Sequence, residues 1–201
     1  MGVAIALNDL QFESGAVCGL CIRYRGTGAG LGITPLPTAW ARDFVNNRCP
    51  ECAPGDIDLN IAGDGRWRVE WVATPCDVGR TKIAYTIPVS DPFWASFVIS
   101  NTAVPVRAVQ VRLKETDPYQ ELARAFNNQW AIHGDWKAAL ATGGIDVKLT
   151  SVLVETVTDK ITAAETHYGT TQFEAEGDIK TGAGAPIPGF RAAQPDRSFA
   201  A

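Results

Sequence analysis

Four of the five cysteines stand as two CxxC pairs, Cys18/Cys21 and Cys49/Cys52, with 27 residues between them, and Cys76 is the fifth. Thiols at this spacing can bind zinc, cycle as a redox pair, or staple loops. A four-thiolate ribbon usually has a shorter gap, roughly 15 to 20 residues. A redox CxxC must open a helix, and Pro54-Gly55 follows Cys52 too closely for that. Disulfides are therefore favoured, which places the chain in an oxidising compartment, with a zinc-bound intracellular module as the alternative. The second pair runs straight into an Ala-Pro-Gly turn and the carboxylates Asp56 and Asp58. Read locally, Asp56 caps the turn and Asp58 is a strand-end carboxylate accepting backbone N–H groups. Only two histidines, His133 and His167, are present, so neither a Ser-His-Asp triad nor a histidine metal site is expected, and both read as surface residues.

These groups must be carried by short strands. RWRVEWV, residues 66–72, puts Trp67, Val69 and Trp71 on one face and Arg68 and Glu70 on the other, the period of a strand with a structural aromatic face. VCGLCIRYR (17–25), 83–87, WASFVIS, VRAVQVRL and IDVKLTSVLVETV also read as strands, and Gly63-Asp64-Gly65 as a turn. PYQELARAFNN, 118–128, predicts a helical turn or two starting at Pro118. The PVSDP run at 88–92 predicts a domain boundary, and the Ala/Gly/Pro/Thr-rich segment from 163 predicts a flexible tail.

The 201 residues carry a net charge of -4, and no Lys/Arg run forms a phosphate-tracking patch, which argues against nucleic acid as a partner. No apolar run approaches the roughly 20 residues of a membrane span. An uncharged ligand is expected. The N-terminus, MGVAIALNDLQF, has no basic region of a secretion signal.

Taken together, CGLCIRYRG, NNRCPECAPGDIDLN, GDGRWRVEWVATPC, DPFWASFVISN and AVPVRAVQV resemble expansins and microbial expansin-like proteins, over roughly residues 5–160. The resemblance implies an all-β chain: an incomplete six-stranded double-psi β-barrel over 1–87, an immunoglobulin-like β-sandwich over 88–162, and the tail over 163–201. The family's opening Thr-Tyr-Tyr strand and Gly-Gly-Ala-Cys-Gly turn have no counterpart, so the chain is expected to begin inside the barrel. A signal peptide and a sixth cysteine would then lie upstream. The implied pairing is Cys21 with Cys76 and Cys49 with Cys52, leaving Cys18 free.

The resemblance also assigns the site. Asp58 falls on the aspartate that acts as general acid in related family 45 endoglucanases. An inverting hydrolase needs a second carboxylate roughly 6.5 to 9.5 Å away. Where the microbial pattern has Thr-Asp before CPEC, this chain has Asn46-Asn47, and the amide of Asn47 can bond a sugar hydroxyl but cannot take a proton. In the sandwich, Phe93 and Trp94 stand where the family has adjacent aromatics, and Trp136 corresponds to a later one. Such rings stack on the apolar faces of glucan sugars. Lys137 beside Trp136 could add a hydroxyl bond, and Trp40 is a candidate for the groove. The implied function is non-enzymatic wall loosening by an extracellular monomer that binds cellulose or a related β-glucan, with no cofactor, metal or membrane. The alternative is a glycoside hydrolase or lytic transglycosylase using Asp58 as acid.

Overall fold

The computed structural model describes residues 4–31, 36, 38–61, 66–91, 93–125 and 127–179. The expected turn at 63–65 and residues 180–201 of the expected tail lie outside them. The strands are β1 (Ile5–Leu7), β2 (Cys21–Leu31), β3 (Ala41–Arg48), β4 (Ile57–Leu59), β5 (Arg66–Thr74), β6 (Ala84–Ser90), β7 (Trp94–Ser100), β8 (Val106–Arg112), β9 (Gln120–Glu121), β10 (Gln129–His133), β11 (Ile145–Ser151), β12 (Thr156–Ile161) and β13 (His167–Tyr168). Among the described residues, two short helices, α1 (Asp9–Phe12) and α2 (Trp136–Thr142), and a 3-10 turn (Glu13–Gly15) complete the set.

The first five strands form one curled half-barrel sheet in the order β4-β1-β3-β2-β5. Its chain crossing puts β1 parallel to β3 and antiparallel to β4. Alternation sends Ile22, Tyr24, Asp43, Val45 and Ala73 inward, where all are buried. Tyr24 donates its hydroxyl proton to Asp43 Oδ2 at 3.1 Å. Burial and the adjacent carboxylate push its pKa up to about 12.

The remaining strands form two four-stranded sheets, β10-β7-β6-β13 and β12-β11-β8-β9. Ala95, Phe97 and Ile99 of one sheet and Val109, Val111, Val147 and Leu149 of the other supply the core between them. Each fully buried aliphatic or aromatic side chain contributes about 1.5 to 3 kcal/mol.

Three expectations are corrected. Strand β6 runs on through Ser90, with a register shift between Thr86 and Val89, so residues 88–90 of the predicted linker belong to a sandwich strand. Residues 118–125 are not helical: Gln120 and Glu121 pair with β8, Leu122 N–H donates to Val109 O at 2.9 Å, and Asn128 turns the chain at φ 59. An open sheet edge outcompeted weak helical propensity. The short helix lies instead at α2, capped by the Asp135 side chain and ended by Gly143.

The third correction concerns residues 163–179, which are packed. His167 and Tyr168 pair with Tyr85 and Ala84, Phe173 is buried, and Ile179 bridges Ala73 of the half-barrel and is also buried. Asp159 is the anchor. It accepts the backbone N–H of Thr170, hydroxyl bonds from Thr170 and Thr171, and the Tyr85 hydroxyl at 3.1 Å. No local sequence pattern announces that cage, because its members are 11 to 74 residues apart.

Candidate functional site

The stretch that raised three chemistries folds as a stapled loop. Cys49 bonds to Cys52, and Cys21 to Cys76, while Cys18 is a free, half-buried thiol. Among the described residues, no group of three or more His, Cys, Asp or Glu side chains is placed to hold a metal ion. Beyond the staple, the turn is tied inward at three points. Gly55 N–H donates to Gln11 Oε1 at 3.0 Å, Trp71 Nε1 donates to Gly55 O at 2.8 Å, and Asp56 Oδ2 accepts from Ala53 N–H at 3.1 Å. Gly55 has φ 97, a backbone conformation that a side chain would strain. Asp56 is thus the turn cap, and β4 follows in a fixed position.

That position places Asp58 opposite Ala6 of β1, and Ala6 is in turn opposite Asn47 of β3. Residues in register across adjacent strands share a face, so Asp58 and Asn47 flank Ala6, two strand spacings or about 10 Å apart. Both side chains are exposed. They line a groove of about 370 Å³ with Asn46, Asn60 and Ile61. Asp58 also borders a second cleft of about 440 Å³ with Glu51, Arg66 and Trp67. Among the described lining of the smaller groove, Asp58 is the one carboxylate, facing amides.

Trp67 is the residue the sequence reading missed. Its alternation with Trp71 correctly sends it inward, but at this end of β5 inward means the cleft beside Asp58. Trp71 remains structural. Trp40 lies elsewhere: its ring is near Arg23 and Arg25 on the outer side of β2 and β3.

In the sandwich, Asp91 Oδ1 accepts the backbone N–H of both Phe93 and Trp94 at 2.7 Å, and Gly134 N–H donates to Phe93 O at 2.8 Å. This turn leaves Phe93 74% exposed and Trp94 half-buried. Trp94, Ser96 and Val98 point away from the core, and His133, Ala131 and Gln129 stand opposite them on β10. The outer face of this sheet therefore presents Trp94 beside the exposed His133, and Phe93 stands exposed just before the strand begins.

Trp136 is not in that row. It opens helix α2, is only 3% exposed, and donates Nε1–H to Asp91 O at 2.9 Å. A helix aims its side chains by a different period from a strand, and this one turns its first residue under the Asp91 turn. Lys137 Nζ lies 5.4 Å from the centroid of the same ring. Trp136 braces the Asp91 turn and, buried, cannot stack on a ligand.

A half-barrel with an acid-and-amide groove, followed by a two-sheet sandwich with exposed aromatics, is an expansin-like architecture, and the chain is similar to expansin-like proteins in sequence and in fold. It is 23% identical to Expansin-like protein 5 of Dictyostelium discoideum over 157 residues, 73% of this chain, and 26% identical to Expansin-like protein 3 of the same organism over 133 residues, 62% of this chain. It spans 61% and 38% of the lengths of those relatives. No protein-family model matches. Two crystal structures of Clavibacter michiganensis expansin match with a TM-score of 0.66, covering 87% of this chain and 84% of that one. One is the apo protein, 17% identical; the other is an aspartate-to-asparagine mutant in complex with cellohexaose, 16% identical. At these identities the match establishes the fold.

Proposed function

We propose that the chain binds cellulose or a related β-glucan through the outer face of the β10-β7-β6-β13 sheet and loosens glucan assemblies without hydrolysing them. The observation that carries this reading is the pair of adjacent aromatics at the start of β7, Phe93 exposed and Trp94 half-buried, on a turn whose backbone is fixed by Asp91 and by the Trp136 Nε1–H bond to Asp91 O. An uncharged glucan ribbon offers apolar C–H faces, and its transfer from water onto such rings is favourable. The Clavibacter protein in the cellohexaose complex shares the fold, which supports an oligoglucan as the ligand class.

In the barrel, Asp58 and Asn47 bond sugar hydroxyls from either side of Ala6. Asn47 cannot serve as the general base that an inverting hydrolysis demands. The two disulfides suit an oxidising, extracellular setting. Two measurements test the reading. Phe93→Ala/Trp94→Ala is expected to lose retention on insoluble cellulose, whereas Asp58→Asn keeps it, and wild-type protein is expected to release no reducing ends from cellulose or mixed-linkage glucan. Undiminished pull-down by the double variant would move binding to another surface. Sustained release abolished by Asp58→Asn would make the protein a hydrolase.

A further inference from the structure

The outer face of the half-barrel gathers arginines that are scattered in sequence. On β2, Arg23 and Arg25 are two residues apart and so point the same way, roughly 6.8 Å apart along the strand. Arg42 of β3 is directly opposite Arg23, and Arg68 of β5 projects on the same face beside Glu70, the partner of Arg25. Directly opposed like charges destabilise a strand pair. Asp178 relieves Arg23 at 2.5 Å and Glu70 relieves Arg25 at 2.6 Å, but among the described residues Arg42 has no carboxylate partner. In a protein of net charge -4, this is a local cationic surface.

The face also carries an aromatic. Trp40 is 44% exposed, with the guanidinium carbons of Arg25 and Arg23 at 4.8 and 5.1 Å from its ring centroid. Beside it is an open depression of about 430 Å³ into which Arg23, Arg42 and Asp178 project. A sugar ring can stack on indole, and a guanidinium fork matches a carboxylate in two-point geometry.

We infer that this face binds an acidic polysaccharide, a chain of uronate sugars, through Trp40, Arg25 and Arg42. The interspersed Asp178 and Glu70 fit a ligand that alternates carboxylates with neutral hydroxyls, and they would repel a dense polyphosphate. This surface is distinct from the proposed glucan platform on the sandwich, and it does not depend on that platform.

The test is affinity electrophoresis of the full chain through polygalacturonate at low salt. Retardation is expected, weakening as ionic strength rises. Arg25→Gln/Arg42→Gln should weaken it by about tenfold and Trp40→Ala by a similar factor, as two charge-assisted contacts or one stacking ring imply. Arg42→Lys should retain most of it, and cellulose retention should be unchanged in all three. Near-UV circular dichroism identical to wild type would establish that the variants fold. The inference is overturned if polygalacturonate does not retard the protein, if the double variant is retarded equally, or if fully methyl-esterified polymer serves as well. Equal binding to a single-stranded oligonucleotide or to anionic phospholipid vesicles would also overturn it, showing a general polyanion surface.

Discussion

At the scale of single residues, two carboxyl groups set opposite pH limits on stability. Glu13 lies in a 3-10 turn with φ 47, followed by Ser14 at φ 54, and its Oε1 is buried without a hydrogen-bond partner. Burial pushes its pKa up to about 7, against the pull of Arg124. Since the folded value exceeds the unfolded one, near 4.5, folding favours the protonated acid. Stability from this site is complete below pH 4.5 and lost as pH rises through 7. Glu13→Gln should therefore melt like wild type at pH 5 and at a higher temperature than wild type at pH 8. Equal melting curves at both pH values would refute it. Asp159 works the other way: burial alone would raise its pKa, but hydrogen bonds from Thr170, Lys160 and Tyr85 hold it below the ordinary carboxylate value. Its contribution is present above about pH 4 and lost as pH falls further. Asp159→Ala leaves several buried donors unpaired and should cost about 3 kcal/mol in urea denaturation at pH 7. A loss below ~1 kcal/mol would mean that water replaces the carboxylate.

At the scale of elements, what was legible depended on whether the signal was local. Strands β5, β7, β8 and β11 announce themselves by alternation, because each has one face on a core. The 118–128 segment misled because its fate is decided by the unpaired edge of β8, a partner some ten residues away. Helix α2 was within reach, since Asp135 before it and Gly143-Gly144 after it are ordinary start and stop signals. Missing it misplaced Trp136. The groove pair Asp58 and Asn47 was legible only through resemblance, because their adjacency is made by β1 lying between them. The corrected role of Trp136 gives a separable outcome. Trp136→Phe keeps most of the packing but loses the bond to Asp91 O, so it should cost about 1 kcal/mol and leave cellulose retention nearly intact. Trp136→Ala should cost about 3 to 5 kcal/mol. A Trp136→Phe variant with wild-type stability but no retention would return this ring to the ligand surface.

At the scale of the molecule, the half-barrel and sandwich are joined by more than the connecting chain. Cys76, bonded to Cys21, also donates its N–H to Ala103 O at 2.7 Å. From the other end, residues 170–179 leave the Asp159 cage and cross back to the half-barrel. Gln172 Oε1 accepts the Ala103 N–H at 3.0 Å, Phe173 and Ile179 are buried, and Asp178 pairs with Arg23. Composition hid this return segment: it is rich in small and polar residues, and two well-spaced apolar side chains carry its burial. A chain ending after Gln172 keeps Thr170 and Thr171 on Asp159 but removes Phe173, Asp178 and Ile179. Truncating either buried side chain alone costs about 2 to 5 kcal/mol, a large part of the roughly 5 to 15 kcal/mol that holds a domain folded. The shortened chain should therefore unfold at clearly lower urea, with the half-barrel tryptophans Trp67 and Trp71 reporting the earlier transition. If instead the Gln172 truncation melts with the full chain, the return segment rests on the half-barrel without holding it, and the Cys21–Cys76 bond, worth about 4 kcal/mol for a loop of this length, carries the junction.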